Sequence, residues 1–181
     1  YYTVREASSG RQCISRGVAS RPAGPFRDDS SGPLICQREL GGSIAPSPFV
    51  DADGRAYLLW KAEGSGGPAQ TIWSQELTPD GLALAGTAHP LISADRSFER
   101  GTVEAPSMVR EGGAYHLVYA AADWNSRSYA TAVASCAGPA GPCTKSASGK
   151  VLASGARLAG PGGVEVFRDR DGALWAAFHA F

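Results

Sequence analysis

The chain has 181 residues, 43% of them hydrophobic and 19% charged, which suits one sizeable globular core. Lys and Arg number 17, as do Asp and Glu, so the formal net charge is zero; no basic stripe points to nucleic acid and no charge block to a disordered tail. No apolar run reaches membrane-spanning length, and YYTVREASSG at the start has neither the basic nor the apolar region of a signal peptide.

Helix signals are poor, because 23 Gly and 12 Pro interrupt every stretch before a 3.6-residue pattern runs three turns. Alternating runs predict strands instead. In chain order these are Ala56–Trp60, Thr71–Leu77, Tyr115–Ala120, Tyr129–Ser135 and Leu174–Phe178. The turns DADG, TPDG, REGG and DRDG separate them.

Four cysteines form two local couples. Cys13 and Cys36 flank RPAGPFRDDSSGP; Cys136 and Cys143 flank AGPAGP. Neither a C-x-x-C nor a Cys/His cluster of zinc spacing is present. Of the three pairings, the sequential one is favoured, Cys13–Cys36 and Cys136–Cys143, since each bridge would staple a turn-rich loop. Disulfides imply an oxidising compartment and hence secretion; the competing reading is four buried thiols.

The architecture comes from a repeat. PFVDADGRAYLLW at 48–60 returns as SMVREGGAYHLVY at 107–119 and as EVFRDRDGALWAAF at 165–178. Matching Tyr57 to Tyr115 and Tyr115 to Trp175 gives steps of 58 and 60 residues. A second element keeps step: CISRGVAS, TIWSQEL and YATAVAS. A period near 59 residues, filled by about four short strands, is that of a propeller blade. The expected fold is therefore all-β, a β-propeller with about three blades present and the ring incomplete. Propellers close with roughly four to eight blades, so residues 1–181 are expected to be one partial domain, truncated on its N-terminal side.

IAPSPFVDADGRAYLLW, GTVEAPSMVREGGAYHLVYAAADWNSRSYATAVAS and GPGGVEVFRDRDGALWAAFHAF, in that order, resemble glycoside hydrolase family 43 over nearly the whole chain. The resemblance implies a five-bladed propeller of inverting glycosidases, mainly arabinanases, arabinofuranosidases and xylosidases, with the site on the propeller axis. Inversion needs one carboxylic acid to protonate the leaving oxygen and a carboxylate to activate water. The family adds a third carboxylate that holds the acid and raises its pKa.

On this resemblance Glu104 in TVEAPSM is the general acid. Its neighbours Val103, Ala105, Pro106 and Met108 are apolar, an environment that would favour the protonated form. Read locally, without the resemblance, a Glu at a strand start, exposed or paired to Arg100, is the favoured reading. Ala45 stands where the family has the Asp of an Ile-Asp-Pro-Ser segment, 59 positions before Glu104. Asp51 and Asp53 belong to a hairpin turn and do not replace it. The base, placed by the family in an Asp-Pro segment of the first blade, has no counterpart here. His179 in AAFHAF matches a channel-facing histidine near a calcium or a water; a core histidine is the alternative. Trp124 could stack on a sugar or pack under its loop, and Phe49 could line the pocket. Trp60, Trp73 and Trp175 read as blade-to-blade core.

The expectation is a secreted glycosidase relative acting on plant-type arabinan, arabinoxylan or xylan. It requires no cofactor, although a structural calcium on the axis is compatible with the resemblance. No nucleic acid or membrane is involved. The chain by itself would be inactive or impaired. A carbohydrate-binding pseudoenzyme is the alternative, favoured by Ala45. A purely protein-binding propeller would carry Gly-His and Trp-Asp punctuation, which is absent.

Overall fold

The computed structural model of the chain describes residues 1–64 and 69–181. Its strands are β1 Tyr2–Arg5, β2 Gln12–Ser15, β3 Ser43–Val50, β4 Ala56–Ala62, β5 Thr71–Leu77 and β6 Leu84–Ser93. They continue with β7 Val103–Glu111, β8 Ala114–Ala121, β9 Ala130–Cys136, β10 Cys143–Leu152, β11 Gly162–Arg168 and β12 Leu174–His179. The helical elements among the described residues are two 3-10 turns, Arg38–Leu40 and Ser97–Glu99. Strands β3–β6 form one antiparallel four-stranded meander and β7–β10 another. The pairs β1–β2 and β11–β12 form two-stranded sheets on either side. Two full blades and two half blades make up the three blades' worth expected from the repeat.

Period-two alternation explains the stacking. In β4, Leu58 and Trp60 join Ile14, Ile35 and Leu77 in a core between the first and second blades. Leu59, on the opposite face, joins Ile72, Met108, Leu117 and Tyr119 between the second and third. Both faces of this sheet are dry, so the strand reads as a nearly continuous apolar run. Trp60 and Trp73 stack with centroids 6.5 Å apart, as cross-strand neighbours. Trp175 lies on β12, which pairs with β11 alone among the described residues; it is 56% exposed, and its indole donates to Asp169 at 2.7 Å.

The register also corrects the match between repeats. Phe49 pairs with Tyr57, Val109 with His116, and Phe167 with Trp175. Tyr57, His116 and Trp175 are thus equivalent, at a constant step of 59 (116 − 57 and 175 − 116). The apparent steps of 58 and 60 arose from taking Tyr115. The REGG hairpin turns through Gly112-Gly113 alone, one residue tighter than the Asp-closed DADG and DRDG turns. That difference slips one strand of the hairpin past the other in sequence.

Both disulfides form as the sequence suggests, Cys13–Cys36 and Cys136–Cys143. The second joins directly paired residues of β9 and β10.

A charged knot lies under the loop that leads into β7. Glu99, fully buried, accepts from Lys145 at 2.8 Å, from the Tyr119 hydroxyl at 3.0 Å, and from the backbone N–H of Asp95 and Arg96. Lys145 also bridges to Asp95 at 2.6 Å, which holds the Asp95 carboxyl below its ordinary range. Replacing Lys145→Met strands Glu99 without a countercharge and should cost roughly 3–5 kcal/mol. Urea unfolding checks this; an unchanged midpoint would show the knot to be dispensable.

Glu6, past the end of β1, pairs with Arg38 of the first 3-10 turn, with Nε at 2.7 Å. The guanidinium and the Ser9 hydroxyl lower its carboxyl from 4.5 to about 2. A depressed folded-state pKa gives stability that is complete above the unfolded value and lost as pH falls through the folded one. Stability should therefore decline between pH 4.5 and about 2, and Glu6→Gln should flatten that part of the curve in acid titration of the melting temperature.

Candidate active site

The inner strands β3, β7 and β11 each carry a bulge near their start. In β3, Ile44 lies opposite Lys61 and the next pair is Ser47 with Leu59. In β7, Glu104 lies opposite Ala120 and the next pair is Ser107 with Val118. In β11, Gly162 lies opposite His179 and the next pair is Glu165 with Ala177. The residue after each first pair is left-handed: Ala45 at φ 53°, Ala105 at φ 46° and Gly163 at φ 62°. For alanine this conformation costs about 1–2 kcal/mol. Bulges re-aim the side chain beside them and recur next to active sites.

The aligned bulges make Ile44, Glu104 and Gly162 equivalent, and Ala45 equivalent to Ala105 and Gly163. The 59-residue spacing from Ala45 to Glu104 is therefore not a register relation. Ala45 still belongs to the site's neighbourhood, one residue beyond the cross-strand partner of Lys61. Its N–H donates to Thr3 Oγ1 at 3.3 Å, pinning the bulge to β1.

Glu104 is largely buried but not in the apolar shell its sequence neighbours suggest. Lys61 Nζ donates to Oε2 at 2.8 Å, and the Tyr129 hydroxyl donates to Oε1 at 2.9 Å. Lys61, only 4% exposed, also lies 3.4 Å from Glu63. Burial and the adjacent Glu104 push the Tyr129 phenol well above its ordinary range, so it stays a donor. Its ring stacks on His179 with centroids 5.7 Å apart and planes 5° from parallel. A Cβ on Gly162 would sit 2.2 Å from that ring. Gly162 thus makes room for the phenol that holds Glu104. Gly162→Ala should displace Tyr129 and break its bond to Glu104, read as altered tyrosine fluorescence and weaker ligand binding; unchanged values would mean the ring is not held in this slot.

The three strands converge further along. Ser47, Ser107 and Glu165 occupy equivalent positions. Ser47 Oγ lies 3.4 Å from Glu165, and Ser107 Oγ accepts from the Val166 N–H at 3.0 Å. Desolvation raises the Glu165 carboxyl above its usual range, against the opposing pull of both hydroxyls. The inner edges of separate blades therefore meet at one hub.

Trp124 lies on the β8–β9 loop that also delivers Tyr129, and it is 60% exposed. Phe49 lies elsewhere. It sits at the hairpin end of β3, against the inter-blade core and edge-on to Tyr115 at 6.2 Å. His179 shares a wall with Tyr129 and belongs to no cluster of three or more His, Cys, Asp or Glu among the described residues. The one His/Cys/Asp/Glu group of metal-binding compactness there is Glu6, Cys13 and Cys36, whose sulfurs are bonded to each other.

Lys61, Tyr129, Glu63 and Glu165 escaped the sequence reading. A trace of Lys61 was present: a lysine inside the buried run YLLWK, on the face of Leu59, has to find an acid.

Comparison with known proteins agrees with the hub geometry. The family model described as glycosyl hydrolases family 43 matches residues 1–181, and the chain belongs to that family. The β-D-galactofuranosidase xynD of Aspergillus niger is 26% identical over 130 residues, covering 71% of this chain and 35% of its own. A thermostable family-43 glycoside hydrolase superposes with TM-score 0.87 at 25% identity, over 98% of this chain and 60% of the other. An endo-1,4-β-xylanase from Bacteroides thetaiotaomicron does so with TM-score 0.81 at 27% identity, over 98% and 64%. The chain thus spans about a third to two thirds of the length of these relatives.

Proposed function

We propose that the protein containing this chain is a secreted glycoside hydrolase that cleaves glycosidic bonds to arabinose, xylose or a related sugar in plant-type polysaccharides, with inversion. The observation that carries this reading is Glu104: a largely buried carboxyl, re-aimed by a bulge and held by two donors. In this reaction the Glu104 proton passes to the glycosidic oxygen as the C–O bond breaks. A water adds to the anomeric carbon and gives its proton to a base carboxylate. Trp124 offers an exposed indole face for a sugar ring. Two disulfides support an extracellular setting. The names of the relatives, a galactofuranosidase and a xylanase, support furanosides and xylosides as the first substrates to try.

With Ala45 in the carboxylate position, the native protein should turn over slowly. A carbohydrate-binding protein without catalysis is the second reading, and Ala45 is the observation that favours it. The full-length gene product and its Ala45→Asp form should be assayed on aryl arabinofuranosides, xylosides and galactofuranosides, with product anomers followed by proton NMR. Ala45→Asp should raise kcat, and Glu104→Gln should then lower it by about 10²–10⁴. Tight glycan binding by calorimetry with both folded forms inert would overturn the enzyme in favour of the binding protein.

A further inference from the structure

We propose that Lys61, shared with Glu63, is a positioning residue for Glu104 and holds its carboxyl in place from β4. This rests on Glu104 being the acid. Lys61 leaves β4 on the face that looks toward the third blade, and its ammonium is shared between Glu104 at 2.8 Å and Glu63 at 3.4 Å. The lysine side chain is 5% exposed, and those of Glu104 and Glu63 are 14% and 24% exposed. Coulombic coupling is therefore little screened. Competition from Glu63 weakens the hold of Lys61 on the ionised Glu104, while the geometry of the pair keeps Glu104 in place. Glu63 is itself anchored, its N–H donating to the Gly42 carbonyl at 3.1 Å, one residue before β3. Among the described residues, the ionisable groups facing Glu104 are Lys61 with Glu63 behind it, and Tyr129, just before β9, with His179 of β12 behind its ring. Neither Lys61 nor Glu63 needs to touch the sugar.

The test uses the full-length protein and its Ala45→Asp form, with aryl glycosides graded from dinitrophenyl, which needs no protonation, to phenyl, which does. Lys61→Met should lower kcat/KM about 10- to 100-fold on phenyl glycosides but less than about threefold on dinitrophenyl ones. Lys61→Arg should recover most of the loss. Glu63→Gln should move the alkaline limb of the pH profile to lower pH. Equal losses on both leaving groups, or a limb that does not move, would overturn the positioning role. If Glu104→Gln itself showed no dependence on the leaving group, the acid assignment would fail instead. Where turnover is too slow to follow, carbon-13 titration of the Glu104 carboxyl reads the same coupling: Glu63→Gln should lower its midpoint and Lys61→Met raise it, and unmoved midpoints would refute the pair.

Discussion

Each complete blade is a sheet that must be dry on both faces, and this constraint fixes nearly everything else. In β4 it sends Leu58 and Trp60 toward one neighbour and Leu59 toward the other. A period of two then leaves no freedom for Lys61, which follows Leu59 onto the face of the third blade. A charged side chain on such a face is costly unless paired, and Glu104 and Glu63 supply the pairing. The placing of the Glu104 carboxyl and the packing of the blades are therefore one problem. The same residue run that builds the core delivers the cation that pairs with Glu104.

The bulges add what regular pleating cannot. A straight inner strand would alternate its side chains between the two neighbouring blades. An unpaired residue in the left-handed region interrupts that alternation near the hub. Two of the three bulges use alanine where glycine would be easier, and the third uses Gly163. At Gly163 there is a second reason: a Cβ would lie 2.8 Å from the His179 ring. Gly162 beside it is emptied for Tyr129. The fourth blade thus yields its own inner-strand side chains to make room for groups that serve Glu104.

Much of this was legible in the chain. The five expected strands fall within a residue or two of β4, β5, β8, β9 and β12. The disulfide pairing followed from turn-rich loops that bring their ends together. Hidden features were those that depend on a single residue of register. Whether Tyr115 or His116 matches Tyr57 turns on a loop one residue shorter, which pattern matching cannot see. Equating Ala45 with Glu104 by spacing failed for the same reason. Phe49 follows the Ala45 segment in sequence, yet a strand rises about 3.3 Å per residue, so a few positions carry it away from Glu104. Partners such as Tyr129 and Glu165 come from different blades, and no local motif joins them.

Position 45 deserves its own physical account. A carboxylate there would enter a neighbourhood already holding two acids and one buried cation. Its charge would oppose that of Lys61 beside Glu104. With alanine the bulge conformation persists, since φ of 53° at Ala45 mirrors 46° at Ala105. The backbone that presents the site is thus independent of the side chain at 45, whereas the charge balance is not. What Ala45 changes is the electrostatics around Glu104; the scaffold, set by the blade faces and the bulges, is left intact.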